Sequence, residues 1–246
     1  MKTILISFHG QQEIKDAHVA QLQAHYNADE IVQGKYWENG KGCDTGCSFH
    51  SSDHNQWAIQ LGVPVIIGRL RDKIFEGLPN DKAKEFPLLC SNATPVGVNL
   101  ENVWRKFMIW LLVDTEEGVI KYAKTEASKK AIQDVADAFA DSLTKTVPVE
   151  TWRKARNAAA AAAAAAAYAA AAAAAAYAAA DAAAYADAAD AAAAAAYAAY
   201  AAAAYAAYAD ADAAAAYAAY ADAAAARKAK YIKMSEKLIE LLKEAK

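Results

Sequence analysis

Beyond Pro148 the chain contains neither glycine nor proline, so nothing in that stretch removes a backbone donor or favours a left-handed break in a helix. Cysteine is scarce as well. Three residues, an odd number, give no disulfide framework. The opening Met1-Lys2-Thr3-Ile4-Leu5-Ile6-Ser7 has too short an apolar run for a signal-peptide core. Together these features lead us to expect a cytoplasmic protein. No Gly-rich loop opening a helix after a strand and no paired acidic metal motif is present, which argues against nucleotide-dependent chemistry.

Charge is equally uninformative about nucleic acid. Residues 1–157 carry 19 basic and 20 acidic side chains, residues 158–226 only six Asp, and residues 227–246 seven basic against three acidic. That distribution gives no concentrated basic face, so no nucleic-acid signal is read from it.

What the chain has in excess is alanine. Residues 158–226 consist of 54 Ala, nine Tyr and six Asp. Alanine loses no side-chain entropy on entering a helix, and the length of the run removes the nucleation cost that defeats short peptides. As one rod the tract would reach about 100 Å. The tyrosines argue against a single straight amphipathic rod. Residues 201–211 recur at 213–223, and a shift of 12 residues turns the pattern by roughly 120°. Tyr205 and Tyr208 therefore point away from Tyr217 and Tyr220, and Tyr197 with Tyr200 is rotated again. We expect long Ala-rich helices packed as a hairpin or bundle, with breaks near Asp187–Asp190 and Asp210–Asp212, where Asp can cap.

Four uses of the tract compete. It can be a packing scaffold, or a partner surface displaying Tyr197, Tyr205, Tyr208, Tyr217 and Tyr220, since tyrosine offers rigid contact area at low entropic cost. A membrane span fits Ala158–Ala180 by length, but alanine is barely favourable in lipid, so membrane insertion is not expected. Ice binding needs a flat regular face that the rotating pattern does not supply.

The head, residues 1–150, is expected to be helical with a Gly-rich Cys/His loop, and the whole chain all-α. Gln11 to Val32 lacks Gly and Pro and places Ile14, His18, Leu22, His25, Ala28 and Val32 on one side. Residues 36–46, with Gly40, Gly42 and Gly46, read as a loop. A helix from about Asp53 to Leu61 is stopped by Gly62, Pro64 opens the next through Phe75, and Leu100 to Val113 gives a wide apolar face. Residues 119–143 give an amphipathic helix. From 151 to 246 the Ala/Tyr/Asp region ends in an amphipathic helix carrying Tyr231, Met234, Leu238, Leu241 and Leu242, an ordinary closing helix with a homodimer seam as the alternative.

The strings Phe8-His9-Gly10, Ala24-His25-x-x-Ala28-Asp29, Tyr36-Trp37-Glu38-Asn39-Gly40-Lys41-Gly42-Cys43-x-x-Gly46-Cys47-Ser48-x-His50, Leu61-Gly62-Val63-Pro64, Ile74-Phe75-Glu76-Gly77-Leu78-Pro79-Asn80 and Pro95-x-Gly97-x-x-Leu100 resemble a family of uncharacterised bacterial and bacteriophage proteins. The resemblance extends to an Ala/Tyr-rich C-terminal region ending in a Leu-rich helix. It carries no activity with it. It implies a stand-alone protein of the bacterial cell, often carried by phage, for which action on a host factor is one expectation.

Chemistry can be sought only in Cys43-x3-Cys47-x2-His50-x3-His54 and its neighbours. Two thiolates and two imidazoles are the ligand set zinc takes tetrahedrally, so Cys43, Cys47, His50 and His54 are candidate zinc ligands. Alternatively Cys47, after Gly46 and just before a helix, could be a nucleophile with a lowered pKa. His50, His54, His9 or His25 would then act as base, with Asp29 orienting His25 from the next turn. Simple packing is the third reading, since free cysteine is among the most buried residues. Trp37 and Trp57 are expected to roof the cluster, Cys90 to lie in the core, and Glu76 to cap or pair. The functional expectation is a small helical binding protein with a protein partner. The alternative is a thiol- or zinc-dependent hydrolase using Cys47 and a nearby histidine.

Overall fold

The computed structural model describes residues 4–123, 125–165 and 216–246. These residues are all-α apart from one short β-hairpin, as the sequence predicts. They fall into two compact units, Met1–Trp104 with Met234–Lys246, and Arg105–Lys233.

In the first unit a 3₁₀ turn, Ser7–Gly10, precedes α1, Gln12–Asn27. The helix ends five residues before the expected Val32. Asp29 turns left-handed at φ +56°, a conformation that Asp tolerates better than most side chains. The Glu30 N–H returns to the His25 carbonyl at 2.9 Å, and Ile31 forms a parallel bridge to Gly42. The expected loop is also more ordered than a Gly count implies. Strands β1, Trp37–Glu38, and β2, Lys41–Gly42, pair antiparallel with Trp37 opposite Gly42. Asn39 and Gly40 connect them at φ +53° and +78°, and two consecutive positive φ angles are what an Asn-Gly hairpin turn requires.

Directly after the hairpin, α2, Asp44–Phe49, begins with Cys43 at its N-cap and ends at His50, which is left-handed at φ +51°. Then come α3, Gln56–Leu61, closed by left-handed Gly62, and α4, Val65–Gly77, opened by Pro64, as expected from those punctuating residues. Helix α5, Asn80–Ala93, contains Pro87. The core of this unit gathers Leu22, Trp57, Ile67, Leu70, Phe75 and Phe86, with Met234 and Leu238 buried on the terminal helix.

Helix α6, Glu101–Val113, spans the division between the units. In the second unit a 3₁₀ turn, Val119–Tyr122, and α7, Glu126–Ser142, replace the single expected helix over 119–143. Thr125 interrupts it because its Oγ1 accepts the Ser128 N–H at 3.0 Å and caps α7. Helix α8, Val149–Ala165, packs on α7, with the Phe139 and Trp152 rings 4.9 Å apart. In α9, Ala216–Lys243, the buried Lys230 ammonium donates to Glu117 Oε2 at 3.0 Å and lies 5.1 Å from the centre of the Trp110 ring. The expected hairpin within the alanine tract, its Asp breaks and Tyr197, Tyr205 and Tyr208 lie outside the described residues. Tyr217 and Tyr220 fall on α9, with side-chain surroundings outside the described residues too. Among the described residues no helix is long and apolar enough to cross a membrane.

Candidate histidine and cysteine site

The Gly42–His50 segment is pinned from both sides. A Cβ on Gly46 would stand 1.4 Å from the Tyr36 carbonyl oxygen and one on Gly42 1.9 Å from the same atom, so only glycine lets the hairpin backbone lie against α2 at this distance. Beneath α2, Arg71 donates from Nε and Nη2 to the two Asp44 oxygens at 2.8 and 2.9 Å. The same guanidinium lies 4.4 Å from the centre of the Trp57 ring. Trp57 in turn donates its indole N–H to Thr45 Oγ1 at 3.0 Å. Burial raises the Asp44 carboxyl above its ordinary range, against the pull of Arg71. Trp57 is therefore the floor under α2 rather than a roof over the cluster. Only Trp37 has the expected covering place, stacked on His50 with centroids 4.2 Å apart and planes at 20°.

Two carboxylate–imidazole arrays flank this segment. In the first, Glu30 Oε2 accepts from His25 Nδ1 at 2.6 Å, and His25 Nε2 lies 3.0 Å from His50 Nε2. Because the carboxylate accepts the hydrogen bond from Nδ1–H, a neutral His25 keeps its proton there and presents a lone pair at Nε2, to which the His50 Nε2–H donates. His25 is buried whereas His50 is exposed. Loss of solvent around the His50 ring, and then the neighbouring His25, lower its pKa, so it is neutral at pH 7. In the second array Asp72 Oδ2 accepts from His54 Nε2 at 2.6 Å, while Oδ1 accepts the Thr45 N–H at 3.1 Å and the Cys43 thiol at 3.6 Å. Tyr36 meets His54 edge-on at 5.6 Å. The two imidazoles expected to share one ion thus face separate partners, His25 for His50 and Asp72 for His54. Neighbouring hairpin residues, Trp37 and Tyr36, each cover one of them.

Both thiols point inward. Cys47 donates to the Gly42 carbonyl at 3.3 Å and is fully buried. Burial, and then the Asp44 carboxylate, push its pKa up to about 12. Burial and Asp72 raise Cys43 in the same way. The lowering expected for Cys47 is reversed because desolvation of a thiolate outweighs the few amides that α2 offers. Among the described residues no group of three or more His, Cys, Asp or Glu side chains is arranged to hold a metal ion.

No family model, curated protein or solved structure matches this chain.

The remaining expected residues have other partners. Asp29, meant to orient His25, instead forms an ion pair with Lys84. The left-handed turn at Asp29 places the next residue, Glu30, against His25. His9 Nε2 contacts the Ile59 carbonyl at 3.1 Å. His18 is a core histidine, 3.2 Å from Ser91 Oγ, with its pKa lowered to about 3 by burial and then by Arg71. Cys90 is buried as expected, and Glu76 accepts the Gly34 N–H at 2.9 Å. Glu30, Asp72 and Arg71 were not singled out by the sequence pattern. Asp72 and Arg71 sit on a helix whose carboxylate and guanidinium face inward, which a polar residue in an amphipathic sequence does not announce.

Proposed function

We propose that this chain is a small helical binding protein, and that the corner formed by Trp37, His50 and His25 is the surface at which its head contacts a partner. The observation that carries this reading is the conformation of His50. A non-glycine residue is held left-handed at φ +51°, at an exposed position, with its ring fixed between the Trp37 face and the His25 nitrogen. The left-handed turn closes α2 with the His50 N–H on the Gly46 carbonyl and leaves the ring exposed beside half-buried Trp37, and a preorganised ring with a polar edge suits recognition. The buried, proton-retaining thiols speak for binding over thiol chemistry. By its resemblance to phage and bacterial proteins, the partner is a protein of the bacterial cell.

The test is capture from a bacterial lysate on the immobilised full-length chain. A partner retained by the wild type should be lost with Trp37→Ala and His50→Ala, while Val149→Ala, an exposed position on α8, retains it. Equal capture by all variants would refute this surface.

A further inference from the structure

We propose that His25 and His50 form an open two-imidazole site for a divalent transition ion, taking Cu²⁺ or Ni²⁺ in preference to Zn²⁺. The inference stands apart from the binding reading, because it requires only the two rings and Glu30.

The spacing carries the argument. The two Nε2 atoms lie 3.0 Å apart with ring planes at 86°. Two imidazole nitrogens bound at about 2.0 Å in neighbouring positions of a tetragonal ion stand about 2.8 Å apart, and in a tetrahedral ion about 3.3 Å. The observed separation lies between these values, so the two nitrogens are near enough to share one ion once each ring turns its Nε2 lone pair from the other nitrogen toward it. The choice of ion rests on affinity: imidazole suits Cu²⁺ and Ni²⁺, and the usual order places Cu²⁺ above Zn²⁺.

Protonation is arranged to suit. Glu30 holds the His25 proton on Nδ1 at 2.6 Å and so commits the Nε2 lone pair, the arrangement by which carboxylates orient metal-binding histidines. His50 need only shift its proton from Nε2 to Nδ1, leaving both Nε2 lone pairs for the ion with no net change in charge on the protein. Trp37 stacked on His50 holds the second ring in place. Among the described residues no group of three or more potential ligands forms a metal site, and the two imidazoles are the ligands proposed here. The other positions belong to water or to an outside donor, which makes this an exchangeable site.

The experiment titrates Cu²⁺, buffered with glycine, into the full-length chain at pH 7.5 while following tryptophan fluorescence and the copper electron paramagnetic resonance spectrum. We expect one ion per chain, partial quenching through Trp37, and hyperfine splitting from two imidazole nitrogens. His50→Gln should abolish the two-nitrogen signal, and Glu30→Gln should weaken binding about 10- to 100-fold. His9→Gln should leave binding unchanged. Binding of His50→Gln with wild-type stoichiometry and affinity would overturn the proposal, as would no saturable binding by the wild type at 100 µM copper. Circular dichroism of each variant separates lost ligands from lost folding.

Discussion

Arg71 and Asp44 close on each other through two hydrogen bonds of 2.8 and 2.9 Å while their side chains are only 3% and 0% exposed. A pair so completely removed from water gives little net stability, but breaking it leaves one charge buried without a partner. Asp44→Asn should therefore destabilise the protein by about 3–5 kcal/mol in chemical denaturation. The double change Asp44→Leu with Arg71→Met should recover much of that loss. A double variant no more stable than the single one would show that the ionic pair is needed for more than its own compensation.

Close backbone approach gives a prediction opposed to helix propensity. Within a helix Gly→Ala ordinarily stabilises by about 1 kcal/mol. At Gly46 the added Cβ would collide with the Tyr36 carbonyl, and at Gly68 it would stand 2.2 Å from the Trp57 ring. Gly46→Ala should accordingly lower Tm by more than 10 °C or prevent folding. An unchanged Tm would mean that the hairpin does not rest on α2.

How far the sequence foretold this arrangement depended on the residue type. Gly62 and Pro64 delimited α3 and α4 because each acts through its own backbone. Asn39-Gly40 carried an equally strong hairpin signal, obscured by reading the surrounding glycines as loop. The early end of α1 was not legible, since the left-handed turn at Asp29 accompanies tertiary contacts: the Ile31 bridge to Gly42 and the ion pair with Lys84. In the site, the Cys/His spacing drew attention to the correct segment, but four ligand-type residues in 12 positions do not reveal which way each points. Their partners, Glu30 and Asp72, come from separate segments, and sequence proximity identified Asp29 instead of Glu30.

Thiol chemistry offers a direct check on the inward orientation of the cysteines. With Cys47 pushed up to about 12, native protein should react with iodoacetamide at pH 7.5 far more slowly than a free thiol, and all three cysteines should label once it is unfolded. Metal content measured by elemental analysis should be the same in wild type and Cys47→Ala. Rapid stoichiometric labelling of native Cys47, or zinc lost with its removal, would contradict the buried placement.

His18 should make stability fall with acid. Its pKa is lowered from 6.5 to about 3 in the fold, so below pH 6.5 the unfolded chain binds a proton that the folded chain refuses. The resulting stability is present above pH 6.5 and is lost progressively toward pH 3, on the order of 2 kcal/mol by pH 5. Asp44, raised in the fold, acts in the opposite sense. His18→Gln keeps a hydrogen-bonding group for Ser91 while removing the titration, so its unfolding free energy should vary less between pH 7 and pH 5 than that of the wild type. Identical pH slopes for the two proteins would count against a buried neutral His18.

The claim that the Trp37–His50 corner is the working surface is tested most directly by quantitative comparison of proteins captured from bacterial lysate by wild type, Trp37→Ala, His50→Ala and Val149→Ala, each first shown to have an unchanged Tm. The account predicts at least one protein enriched by the wild type and Val149→Ala and depleted at least tenfold by both corner variants. The same captured set at the same abundance on all four chains would contradict it.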